Sequence, residues 1–134
     1  MNKGEIREIL SLAARNALRI VNTEWVLIRI VNQNSFKTIA EHYELRAGCT
    51  YPHANASNRV LVEGETIEGF SIVCSRKENL TVNVACIIPV NALGREEKLL
   101  IGAVVCQLEM LFILFTSQYL QKLYHDSNLQ NETF

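Results

Sequence analysis

The nine residues "EWVLIRIVN", Glu24 to Asn32, limit what this chain can become more than any other stretch. The run is apolar on both faces and rich in β-branched residues, so it reads as an interior strand rather than an edge strand. "QNS" follows as a tight turn, and "FKTIAEHYEL", Phe36 to Leu45, alternates more openly as the hairpin partner. Ahead of the hairpin, Ile6, Ile9, Leu10, Ala13, Ala17, Ile20 and Val21 recur at helical spacing within Lys3 to Val21. Glu5, Arg7, Glu8 and Arg15 lie elsewhere on that wheel, which gives the helix one apolar face.

After the hairpin, Arg46 to Asn58 ("RAGCTYPHANASN") is a loop by composition, with Gly, Pro and several Asn and no periodicity. A short "RVLV" leads to Gly64 and Gly69, five residues apart. Ile67, Phe70, Ser71 and Cys74 then fall at i, i+3, i+4, i+7, which predicts a short helix with one buried stripe. Arg76 and Lys77 would sit in its last turn, at the negative end of the helix dipole. "TVNVACIIPV", Thr81 to Val90, alternates with Val82, Val84, Cys86, Ile88 and Val90 on one face, as a strand does. "KLLIGAVVCQL" reads as a further strand with Gly102 placed for a close backbone approach. From about Glu109 the period turns helical, with Phe112, Phe115, Tyr119 and Leu123 sharing a face. The expected class is α+β, a mostly antiparallel central sheet flanked by N- and C-terminal helices. It forms one domain over residues 1–126, followed by a polar tail at 127–134.

Composition narrows the functions. Lys and Arg number 13 against 14 acidic residues and are scattered, so no basic stripe points to nucleic acid. Asp126 is the one aspartate, which disfavours oxygen-ligand metal sites and paired-Asp chemistry. Four cysteines with no secretory leader imply free thiols in a reducing, cytoplasmic setting. "LLIGAVVCQLEMLFILF", Leu99 to Phe115, is apolar enough to invite comparison with a membrane span. It is short, and Gln107 and Glu109 lie near its middle, so a buried strand running into an amphipathic helix is the expectation.

In this order the elements resemble a GAF domain, the small-ligand sensory module related to PAS, over roughly Glu5 to Tyr124. The resemblance rests on the hairpin "WVLIRIVN…FKTIAEHYEL" and on the glycine-bracketed Gly64 to Gly69. It rests equally on "ACIIPV", on the Ile-Gly of "LLIGAVV" and on the Phe-Thr opening "LFTSQYLQKL". It implies a non-enzymatic sensory or regulatory module that binds a small molecule and signals through a partner protein or by homodimerisation. Pairing would use the terminal helices, here Leu111, Phe112, Phe115, Tyr119 and Leu123. The segment between Gly69 and Thr81 is short for the family and leaves little chain to roof a pocket, which favours an alternative: a ligand-free scaffold acting by protein–protein contact.

The loop supplies the candidate ligand-binding groups: Arg46, Cys49, Tyr51, His53, Asn55, Asn58 and Arg59, suited to an anionic or heterocyclic ligand. An ordinary solvated connection has the same composition. Cys86 and Cys106 read as small hydrophobes on strands, and Cys74 belongs to the buried stripe, leaving Cys49 as the accessible thiol. A redox enzyme built on Cys49 is a third reading; it needs a neighbouring cation or base to form the thiolate. No Cys-His pair suits bilin attachment. Gly69 is followed by Phe70, so no Walker lysine is present, and the glycines read as a turn with a close helix–sheet contact. The residues name neither a cofactor nor a metal.

Overall fold

A computed structural model describes residues 3–50, 54–75 and 81–132, with side chains between 4 and 116. Helix α1 spans Lys3–Ile20, strands β1 and β2 span Trp25–Asn32 and Thr38–Leu45, and α2 spans Asn58–Glu63. Strands β3 and β4 span Ser71–Cys74 and Val82–Ile88, and α3 runs from Arg95 to Glu132. The four strands form one antiparallel sheet in the order β2-β1-β4-β3, with helices at both ends of the chain. The α+β class follows directly from this.

Interior strand β1 has a separate core on each side. Val26, Ile28 and Ile30 face α1 and α3, meeting Leu10, Ala14 and Ala17 together with Ile101, Val105 and Leu108. Val82, Val84, Cys86 and Ile88 of β4 join that same core, on the face their alternation predicted. Trp25, Leu27 and Val31 point to the opposite side, where Leu61 of α2, Ala56, Ala85 and Ile87 cover them. A strand apolar on both faces is thus covered on both faces, and each fully buried Leu or Ile contributes about 1.5–3 kcal/mol.

Two segments differ from the sequence reading. The helix expected around Ile67 to Cys74 lies earlier, at α2, and Ser71–Cys74 is the edge strand β3. The cause is local. Ser57 caps α2 by accepting the Val60 N–H at 3.3 Å, and Gly64 ends it at φ 74°, sending its own N–H back to the Val60 carbonyl. Gly69 then takes φ 86°, a second left-handed step that releases the chain into β3; open space surrounds it, so its need is conformational, not a close contact. Arg76 and Lys77 lie outside the described residues.

The second difference is larger. "KLLIGAVVCQL" belongs to α3, so Gly102 and Cys106 are helical, and no strand-to-helix transition occurs near Glu109. Helix start signals precede this run: Glu96 and Glu97 fill the first turn, and Glu97 Oε1 accepts the Gly94 N–H at 3.0 Å. Arg95–Thr116 is the stretch among the described residues long and apolar enough to cross a membrane, and 17% of its apolar 18-residue window is buried. The expectation of a buried strand there is replaced by a helix with one face on the core and one face bare.

Candidate functional site

A partly enclosed space with mixed apolar and polar walls lies at the β3 edge of the sheet rather than in the loop 46–59. A cavity of about 440 Å³ opens between the end of α2, the Gly64–Phe70 segment, β3 and the turn that leads into α3. Leu61, Ile67, Phe70, Ile72 and Leu93 give it apolar walls, while Glu65, Asn91 and Lys98 bring polar groups to it. Both sides are fixed by hydrogen bonds. The Phe70 N–H meets the Ile67 carbonyl at 3.1 Å, and Ser71 Oγ donates to the Val90 carbonyl at 2.8 Å, tying the start of β3 to the turn after β4. Behind this wall Phe70 stacks at a tilt on Trp25, centroids 6.0 Å apart, and Trp25 meets Tyr43 at 5.7 Å.

The sequence candidates are dispersed, and several hold the fold. Arg46 caps α1: its Nε donates to the Thr23 carbonyl at 2.6 Å, and Nη2 to those of Leu18 and Val21 at 2.9 and 2.8 Å. A guanidinium on the last carbonyls of a helix answers both their missing partners and the dipole. Asn58 is likewise engaged. Its Nδ2 donates to the Phe36 carbonyl and to Thr38 Oγ1, both at 2.9 Å, while its Oδ1 accepts from Arg29 at 3.1 Å. Arg59 lies over the Phe36 ring, 4.9 Å from the centroid, and pairs with Glu63 along α2 at 3.4 Å. Asn55 is exposed. Cys49 is half-buried, its N–H on the Arg46 carbonyl in a turn through Gly48. Tyr51 and His53 lie outside the described residues.

At the centre of this network is a residue the sequence reading passed over. Arg29 is buried on β1, yet it carries a charge. Nε meets Glu41 Oε2 on β2 at 2.8 Å, and Nη1 donates to the Ala56 carbonyl at 2.6 Å as well as to Asn58. The signal was present as one cation in an otherwise apolar interior strand; such a group must be paired to be tolerated. Asn83, equally buried on β4, donates to the Leu61 carbonyl at 3.4 Å, so α2 is tied to the sheet at its first residue and again at Leu61.

The expected dimer residues divide. Phe112 packs into the core beside Ile6, Ile9 and Leu108, and Phe115 lines a small open space with Glu5, Glu8 and Ile9 of α1. Leu111 is half-buried, and the side chains of Tyr119 and Leu123 lie outside the described residues. The bare side of α3 carries other residues. Leu99, Leu100, Met110, Ile113 and Leu114 are exposed. A groove of about 590 Å³ runs along that side from Lys98 to Met110, with Cys74 at its margin.

Cys49, Cys74 and Cys106 are half-buried, and Cys86 is fully buried. The burial of Cys86, with Cys74 nearby, pushes its thiol up to about 12, far from a reactive thiolate. All four cysteines are free, and among the described residues no three His, Cys, Asp or Glu side chains gather as a metal site. Comparison of the chain with protein-family models, curated proteins and solved structures gives no match.

Proposed function

We propose that the chain is a non-enzymatic, GAF-like regulatory module that takes a small molecule into the cavity beside β3 and passes its state on through a second protein chain. The observation that carries this is the cavity itself. Its 440 Å³ falls within the 300–1,000 Å³ usual for small-molecule sites, and apolar walls with a few polar groups are the usual lining. The helix–hairpin–helix–strand order and the glycine-bracketed entry to β3 support the GAF-like part of the reading.

The test is native mass spectrometry of freshly purified protein, followed by thermal melting against a nucleotide and metabolite panel. A ligand present at a hundred times its Kd stabilises the native state by about 2.7 kcal/mol. For 134 residues that is a rise in Tm of roughly 9 °C. A bare chain with no shift anywhere in the panel sinks the ligand reading. A second reading, a ligand-free interaction scaffold, is favoured by the bare apolar side of α3; it expects no shift in the panel and retention of a protein partner.

A further inference from the structure

We infer that a second copy of this chain covers the bare side of α3, with the two helices crossing antiparallel about Ala103 and Cys106. This deepens the pairing part of the proposed function and stands apart from its ligand part. The apolar residues of this side, Leu99, Ala103, Cys106, Met110 and Ile113, are spaced four, three, four and three apart. That is the seam one helix presents to another, opposite the core-facing Ile101, Val105 and Leu108. Covering helps most at Leu99 and Met110, which flank the small pair Ala103 and Cys106 and are 67% and 71% exposed.

Size and charge both select a second copy in antiparallel orientation. Small residues occupy the middle of the seam and large ones its ends, so two copies can approach closely at Ala103 and Cys106. Leu99 of each then lies against the partner's Met110, filling the space where crossing helices diverge. The groove carries Lys98 at one end and Glu109 at the other. An antiparallel two-fold sets each Lys98 beside the partner's Glu109, twice over, and an isologous interface requires this self-complementarity. Lys98 to Glu109 spans about 17 Å of helix, a patch below the roughly 800 Å² per partner of a stable interface, so the pair should be weak and assemble only at high chain concentration.

The experiment is oxidative cross-linking of the full chain, with mass measured in solution. A103C should give a covalent dimer through the partner's Cys106, and A103C with C106S should lose it, because position 103 faces 106 and not itself. S35C, in the exposed β1–β2 turn, is the control and should stay uncrosslinked. K98E should lower the dimer fraction at least tenfold, and the swap K98E with E109K should restore it. Four results overturn the proposal: a monomer at all concentrations, or a dimer in which A103C fails to cross-link. Cross-linking that survives C106S means a parallel pair, and a chain that partitions into phospholipid vesicles as a monomer means lipid covers the helix.

Discussion

Replacing Arg29 by Met tests whether the 54–58 segment is held by the sheet or is free to serve a ligand. Methionine keeps most of the aliphatic stem, so the perturbation is confined to the guanidinium. The ion pair with Glu41 contributes little, because that carboxylate is 42% exposed and water can replace its partner; about 0–1 kcal/mol covers it. The bonds to the Ala56 carbonyl and Asn58 are different. In the variant the Ala56 carbonyl stays inside without a donor, which costs about 1–3 kcal/mol, and Asn58 loses a charged donor. The sum is about 2–4 kcal/mol, or a fall in Tm of roughly 7–14 °C for a domain of this length. Calorimetry on wild type and R29M measures it. A fall below 3 °C would mean that the network is not what fastens this segment, and the structural assignment of Asn58 would go with it.

Two further outcomes are expected. Arg46→Ala should lower Tm by roughly 4–7 °C with no ligand present, since it strips three carbonyls at the end of α1 of about 1–2 kcal/mol; Arg46→Lys should recover less than half, because an ammonium lacks the fork. An unchanged Tm in R46A would return Arg46 to the list of ligand groups. Cys86 sets an alkaline limit. Its folded thiol value, about 12, lies above the unfolded 9.0, so its contribution is intact below pH 9 and is lost as pH rises towards 12. Melting curves at pH 8 and pH 10.5 should show a smaller loss in C86A than in wild type, and equal losses would refute the assignment.

Helical spacing made α1 legible, alternation made β4 legible and an unbroken apolar run made β1 legible, although β4 proves buried on both faces and not on the alternating one alone. Periodicity misled where a segment was short or apolar all round. Ile67, Phe70, Ser71 and Cys74 match a helical stripe by coincidence, and a four-residue strand is too brief to show a period of two. The better signals were the Ser57 cap and the left-handed Gly64, which bracket α2. "LLIGAVV" has apolar residues on every side, so neither period stands out, and its helical nature was written in Glu96 and Glu97 upstream. The loop residues were correctly seen as unusual. Their engagement with Leu18, Val21 and Arg29 was illegible, since those partners lie 25 to 29 positions away in the chain. The cavity beside β3 was illegible for a related reason: its walls come from two stretches, 61–74 and 91–98, with β4 between them in the chain.

One sheet serving two unconnected interiors gives the molecule two resistances to opening. The side beneath α1 and α3 is sealed by long helices, whereas the opposite side is sealed by a six-residue helix with one buried residue, Leu61, and its flanking segments. Breaching the thinner seal exposes Trp25, Leu27 and Ile87 while Ile28 and Val84 stay dry, so amide protons of residues 58–63 should exchange through a partial opening and those of β1 and β4 only through global unfolding. Such an opening should leave the whole α1–sheet–α3 half intact, and an occupant of the cavity beside β3 should oppose it, because Leu61 of the thin seal is also a wall of that cavity.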